Sequence, residues 1–466
     1  MVFTSTVFLG VFLPALFALY FLANTVARPY VLLVFSLLFY AWGEPSAVLV
    51  MIALMVVNYG LGICIGASRQ KRGWARLLVA LGVVIDLGAL ISYKYLGFFA
   101  ANLVPVAKLL GFNVTVPEIA LPIGISFYVF QILSYLVDIY RGDVEAQRNP
   151  FKFMLYVSLF PQLIAGPIVR YSTIAADIDN REANFDNIVA GVRRFGIGLA
   201  KKVLVADTMA SIADVVFGAP VESIPCAYAW IGAVAYTLQI YFDFSGYSDM
   251  AIGLGRVFNF RMLENFDHPY ASCSVQEFWR RWHISLSSWF RDYLYIPLGG
   301  NRKGKLRTYV NMFSVFFLCG LWHGAAWNFV VWGVYHGVGL VVERAGLKNA
   351  IARLPRPVAN LYLMLFVIVG WVLFRAPDLQ YAVGYLGNMF GGAEAAFTSF
   401  VPSIEFAVLN WFLLMAAGVV ASYPVFDRLV ARVPEALRLV GATVLFFVVY
   451  MVAMTSAYSP FIYFRF

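Results

Sequence analysis

The sequence predicts an all-α, polytopic membrane protein, and three observations carry that prediction. Hydrophobic residues fill 62% of the 466 positions and charged residues only 13%, where a soluble domain carries roughly a quarter charged residues; mean hydropathy is +0.78. Charge-poor segments of about bilayer-spanning length recur along the chain. The loops between several of them are rich in Lys and Arg, the bias that orients helices in a bilayer.

Apolar spans recur at 4–23, 29–42, 46–66, 76–93, 95–111, 121–140, 151–169, 188–216, 226–256, 308–322, 325–342, 358–375, 405–424 and 438–457. The stretch Val2 to Leu22 carries no charge and lacks the basic start and small-residue cleavage site of a signal peptide, so it reads as a retained first helix. At ~1.5 Å per residue some spans are too short to cross; about eleven crossings are expected, with the remainder re-entrant or interfacial. The loops around Arg69-Lys71-Arg72-Arg76, Arg302-Lys303-Lys305-Arg307 and Arg344-Lys348-Arg353-Arg356 should be cytoplasmic. Segments 112–120, 217–225 and 376–404 carry acids and almost no Lys or Arg, so they should face outward. Arg428, Arg432 and Arg438 place the last loop inside, so the C-terminus should lie near the outer surface. The +9 net charge then reflects basic loops rather than nucleic-acid binding, and the four scattered cysteines show no metal-ligand or disulfide spacing.

Chemistry concentrates in the middle of the chain. Of four histidines, His283, His323 and His336 fall within one short stretch. His323 lies in Gly320-Leu321-Trp322-His323-Gly324, inside apolar sequence, and an ionisable group at membrane depth is costly enough to be a functional-site hypothesis by default. A neutral imidazole there can take a proton from a hydroxyl attacking an acyl carbon. In Glu277 to Tyr293, helical spacing puts Phe278, Trp282, Ser285 and Trp289 on one face and Arg280, His283, Ser287 and Arg291 on another. Such a helix is either an aromatic anchor at the interface or a cradle for an anionic ligand. Asp243 and Asp249, in an apolar stretch, must pair, hydrogen-bond or stay protonated. The run Phe160 to Arg170 is broken by Pro161, Gly166 and Pro167, which is tolerated where the backbone is buried or lines a cavity. No GxSxG, HExxH, P-loop or dinucleotide glycine pattern accompanies these residues.

Together, Leu121 to Tyr128, Pro161 to Arg170, Tyr241 to Gly253, Glu277 to Arg302 and Gly320 to Gly324 resemble the membrane-bound O-acyltransferase (MBOAT) family, in its bacterial polysaccharide-modifying branch. The resemblance runs nearly end to end. It implies one MBOAT transmembrane domain over 1–466, with N-terminal helices at 1–115, a catalytic core at approximately 116–345 and C-terminal helices at 346–466, arranged around a funnel. The family's invariant histidine falls on His323 and its second polar position on His283; His336 fits a further histidine of this branch. The implied reaction is acetyl transfer from cytoplasmic acetyl-CoA towards hydroxyls of an exported polysaccharide, alginate-like or another exopolysaccharide, without a metal. His323 would be general base, His283 would orient or polarise the thioester carbonyl, and Asp243, Asp249, His336 and Trp322 would support them. Arg280, Arg281 and Arg291 would meet the phosphates of the donor, an expectation from charge alone. The tail Ser459 to Phe466 reads as an aromatic belt, but it also resembles the tyrosine-bearing tail of a small membrane peptide that serves D-alanyl transfer. Tyr463 is therefore a candidate acyl relay. The branch implies a periplasmic or membrane-anchored esterase-like acetyltransferase partner and polysaccharide export proteins, besides membrane lipid.

Other acceptors fit the same chemistry: peptidoglycan, cellulose, or teichoic acid receiving D-alanine. A transporter would show inverted repeats and paired broken helices, and no such symmetry is visible. A non-catalytic scaffold of an export complex would leave His323 and Asp249 without a purpose.

Overall fold

A computed structural model describes residues 1–111, 119–179, 184–392, 415–455 and 461. Every regular element among them is helical. The helices group into two units, Met1–Phe195 with Ser248–Leu263, and Gly196–Tyr247 with Glu264–Phe466.

The first unit starts with α1 (Phe8–Leu22), α2 (Arg28–Gly43), α3 (Ala47–Ala67) and α4 (Arg72–Leu109). The sequence divides the last of these at Lys94, but the helix runs on for 38 residues. A π-turn at Ile91–Tyr95 takes up the irregularity, and the Lys94 ammonium donates to Ser126 Oγ at 3.3 Å. On the inner face of α3, Asn58 donates to the buried Asp86 carboxylate of α4 at 2.7 Å.

Two segments singled out by sequence build the interior of this unit. The turn Leu121-Pro122-Ile123-Gly124 is pinned by α2: Tyr40 donates to the Ile123 carbonyl at 2.9 Å, and the Ile123 N–H donates to the Glu44 carboxylate at 2.9 Å. Gly124 has φ +76°, and a Cβ there would lie 2.8 Å from the Leu163 carbonyl oxygen, so only glycine fits before α5 (Ile125–Arg141). The 151–169 span becomes α6 (Pro150–Ser158) and, broken at Leu159, the single turn α7 (Phe160–Leu163) that opens the interrupted run. It is buried in protein, where Phe160 N–H donates to Ser36 Oγ at 3.1 Å and Gln162 Nε2 to the Tyr156 carbonyl at 2.6 Å.

The second unit is built around α8 (Asp207–Phe217), α9 (Cys226–Val257, whose last turns belong to the first unit), α10 (Val275–Arg281), α11 (Ile284–Phe290), α12 (Lys305–His323), α13 (Trp327–Val342) and α14 (Arg356–Arg375). The 277–293 segment is therefore two short helices rather than one amphipathic helix. His283 between them has φ 45° and ψ 55°, the left-handed region that L-residues rarely adopt. This reversal removes His283 from the basic face expected of it and buries it to 1% exposure.

Among the described residues, four helices are long and apolar enough to cross a membrane: α3, α4, α14 and Glu435–Ala453. Helices α1 and α2 are apolar but shorter.

Candidate active site

His323 closes α12, and a close helix–helix approach fixes where it stands. A Cβ on Gly320 would lie 2.9 Å from the Gly333 Cα, and one on Gly333 would lie 3.0 Å from the Gly320 Cα. Helices α12 and α13 thus touch backbone to backbone one turn before the histidine. Beyond it, Gly324 is extended (φ −161°) and ends the helix; a side chain there would run into the Phe329 ring. His323 is 6% exposed and ringed by Trp322 at 4.9 Å, Trp332 at 5.1 Å and Phe374 at 5.1 Å.

His336, from α13, lies 4.8 Å from the same Trp332 ring. The Trp279 indole N–H of α10 donates to its Nδ1 at 3.2 Å. An indole nitrogen can only donate, so Nδ1 is an acceptor. The missing side chain of Gly370 makes room for this ring: a Cβ there would lie 2.8 Å from His336 Nε2.

His283 packs edge-on against Phe244 at 4.6 Å and lies 6.3 Å from Trp322. Its Nδ1 is 3.1 Å from Asn265 Oδ1. Burial among these rings pushes its imidazole down to about 3, so the ring is neutral at working pH. Through Trp322 and Trp332, then, one aromatic cluster carries His283, His323 and His336. A neutral imidazole among aromatic rings can exchange a proton with a substrate group.

The carboxylates singled out by sequence are held by cations. Asp243 is 2% exposed and lies 2.7 Å from Lys202 Nζ, which is also 2.7 Å from Asp207. Asp249 belongs to the first unit, where Arg194 grips it through Nε at 3.0 Å and a terminal nitrogen at 2.8 Å. The first is a buried ion pair and the second a half-buried one, the structural reading of an acid at membrane depth. Two of the three expected donor-binding arginines also face carboxylates. Arg281 lies 3.0 Å from Glu277 and 3.4 Å from Asp267, and Arg291 lies 2.7 Å from Asp292. Arg280 is exposed. Tyr463 lies outside the described residues; Phe461, in the same tail, is buried 4.8 Å from the Tyr247 ring and 4.8 Å from Lys202 Nζ.

Sequence reasoning missed Lys202, Asn265, Trp279, Trp332 and Phe374. Lys202 had a signal, since a lysine inside the 188–216 apolar span demands an anion. Asn265, in the loop before α10, had none.

Residues 144–380 match the MBOAT, membrane-bound O-acyltransferase family. The chain is 46% identical over 383 residues to a protein named probable alginate O-acetylase in Pseudomonas aeruginosa, covering 82% of this chain and 73% of that one. It is 44% identical over 428 residues to a protein of the same name in Azotobacter vinelandii, covering 91% and 85%. With the peptidoglycan O-acetyltransferase of Helicobacter pylori it shares 37% identity over 426 residues, covering 84% and 80%. Likeness of this extent, along segments that include the histidine cluster, makes the chain an enzyme rather than a transporter or scaffold: it belongs to the membrane-bound O-acyltransferase family.

Proposed function

We propose that this enzyme transfers acetyl from cytoplasmic acetyl-CoA across the inner membrane towards hydroxyls of an exported polysaccharide, alginate-like or another exopolysaccharide. The observation that carries the reading is the 44–46% identity to proteins named alginate O-acetylases over most of the chain. In the proposed reaction a hydroxyl oxygen bonds to the thioester carbon while His323 takes the hydroxyl proton. The carbon–sulfur bond then breaks, and the proton passes on to the departing CoA thiolate. Trp322 and His336 keep the site dry and in register, while Arg280, Arg281 and Arg291 meet the donor phosphates from the cytoplasmic side. The proposal includes a single domain with about eleven crossings and re-entrant segments, and an outward C-terminus. From there Tyr463 could carry acetyl as a phenolic ester to an esterase-like partner outside.

The test is purified protein in nanodiscs with radiolabelled acetyl-CoA, with and without the periplasmic partner. Wild type is expected to transfer label that His323→Ala does not; covalent label that vanishes in Tyr463→Phe supports the relay. A wild type that neither hydrolyses nor transfers acetyl, even with its partner, overturns the donor assignment. Peptidoglycan is the second reading, favoured by the 37% identity to a peptidoglycan O-acetyltransferase. Label appearing in muropeptides rather than in secreted polysaccharide would select it.

A further inference from the structure

Asn265 is a buried side chain, 1% exposed, on the loop that precedes α10. Its Oδ1 meets three groups of the reversal at His283: the Ser285 backbone N–H at 3.2 Å, the Ser285 hydroxyl at 2.8 Å and His283 Nδ1 at 3.1 Å. The Ile284 N–H donates to the Asn265 main-chain carbonyl at 3.0 Å, so the same residue clamps the reversal from backbone and side chain alike.

These contacts determine where the protons are. A backbone N–H only donates, so the Asn265 atom facing Ser285 must be the carbonyl oxygen and not the amide nitrogen. A carbonyl oxygen only accepts, and the Ser285 hydroxyl, 3.5 Å from His283 Nδ1, gives its hydrogen to Asn265 at 2.8 Å, so His283 Nδ1 bears the hydrogen it shares with Asn265. In a neutral imidazole one nitrogen donates and the other accepts, which leaves the lone pair on Nε2. A ring in that state cannot polarise a carbonyl through Nε2, one of the two tasks, orienting or polarising the thioester carbonyl, expected of His283 from sequence.

We infer that Asn265 is a positioning residue that holds His283 as the Nδ1–H tautomer, so that Nε2 meets the reactants as a hydrogen-bond acceptor for an O–H or N–H group; the inference rests on the acyl-transfer reading above. The group accepted is either the hydroxyl that attacks or an amide N–H on the arm of the acyl donor. His336 carries the opposite arrangement, since its Nδ1 accepts from Trp279. The two histidines beside His323 thus present opposite nitrogens for donation.

With only four histidines in the chain, nitrogen-15 histidine labelling of the full-length protein in nanodiscs can read the tautomer directly, and His283→Gln identifies the signal. Wild type is expected to show a protonated Nδ1 and a bare Nε2 at His283. Asn265→Ala should admit the Nε2–H form and slow acetyl transfer about 10- to 100-fold, the usual cost of losing a residue that orients an imidazole. Asn265→Asp, whose carboxylate accepts from the same donors, should restore the tautomer and most of the rate, with the acid limb of the pH–rate profile moved upward. A rise in KM for acetyl-CoA in Asn265→Ala assigns the accepted group to the donor; a fall in kcat at unchanged KM assigns it to the attacking hydroxyl. A protonated Nε2 in wild type overturns the inference, as does an Asn265→Ala protein with unchanged tautomer and rate. If Asn265→Ala fails to fold, the wild-type spectrum and Asn265→Asp still decide. The spectrum needs no acyl donor, so loss of the acetyl-CoA reading would leave it standing.

Discussion

Lys202 lies 2.7 Å from both Asp243 and Asp207, whereas His323, in the same unit, is surrounded by the rings of Trp322, Trp332 and Phe374. Both places bury polar chemistry, by opposite means. Around Lys202 one ammonium is brought between two carboxylates, which commits these charges to the folded state. Around His283 the surroundings keep the ring neutral, and hydrogen bonds from Trp279 to His336 and from His283 to Asn265 fix which nitrogens carry hydrogen. A neutral imidazole keeps its capacity to change protonation during turnover; a matched ion pair has already spent it. The contrast separates carboxylates held by cations from histidines held among aromatic rings, although sequence presents both as buried ionisable groups.

Two substitutions test that division most severely. His323→Ala should lower acetyl transfer about 10²–10⁴-fold, the range of general-base assistance, while the unfolding temperature in nanodiscs stays near wild type. Lys202→Met should do the reverse. Removing one partner of a buried pair costs about 3–5 kcal/mol, so thermal stability should fall sharply while turnover per folded molecule is kept. Adding Asp243→Asn should recover part of the stability, because it removes an uncompensated charge. A Lys202→Met protein that is stable but inactive would place the ion cluster in the reaction and end the distinction.

How far sequence reached follows the same line. The unbroken course of α4 past Lys94 was not legible, whereas the all-helical character and the interruption within Phe160 to Arg170 were, because apolar length and proline are local signals. So was the gathering of Trp322, His323 and His336, which α12 and α13 carry on one hairpin. The course of the chain at His283 was not. Its spacing suits one continuous helix, and what breaks that helix is Asn265, 18 positions upstream. The partners of Asp243 and Asp249 were hidden for the same reason: Lys202 and Arg194 lie 41 and 55 positions away in the chain. Tertiary partners of polar groups leave no periodic trace.

Gly320→Ala probes the step between fold and reaction. The added methyl must displace α13 at Gly333, and overpacking of a tight contact typically costs about 1–3 kcal/mol. Because His323 follows within one turn, both stability and acetyl transfer should fall, by less than in Lys202→Met and His323→Ala respectively. Unchanged turnover in a destabilised Gly320→Ala protein would mean that the hairpin tolerates displacement without moving the histidine.

The smallest effects belong to the arginines, and they show whether charge serves folding or the donor. Arg281 and Arg291 already face Glu277, Asp267 and Asp292, and exposed pairs of this kind are worth about 0–1 kcal/mol. A phosphate would have to compete with those carboxylates for both guanidinium groups. Arg280 is exposed on α10, and its alanine variant should therefore raise KM for acetyl-CoA more than Arg281→Ala or Arg291→Ala does. The difference should shrink as salt is added, since solvent-exposed charge interactions are screened within about 10 Å at 0.1 M. Steady-state kinetics at two ionic strengths reads this directly. Equal, salt-insensitive KM values in all three variants would make the arginines braces for the α10–α11 reversal and move the donor's phosphates to the other basic loops.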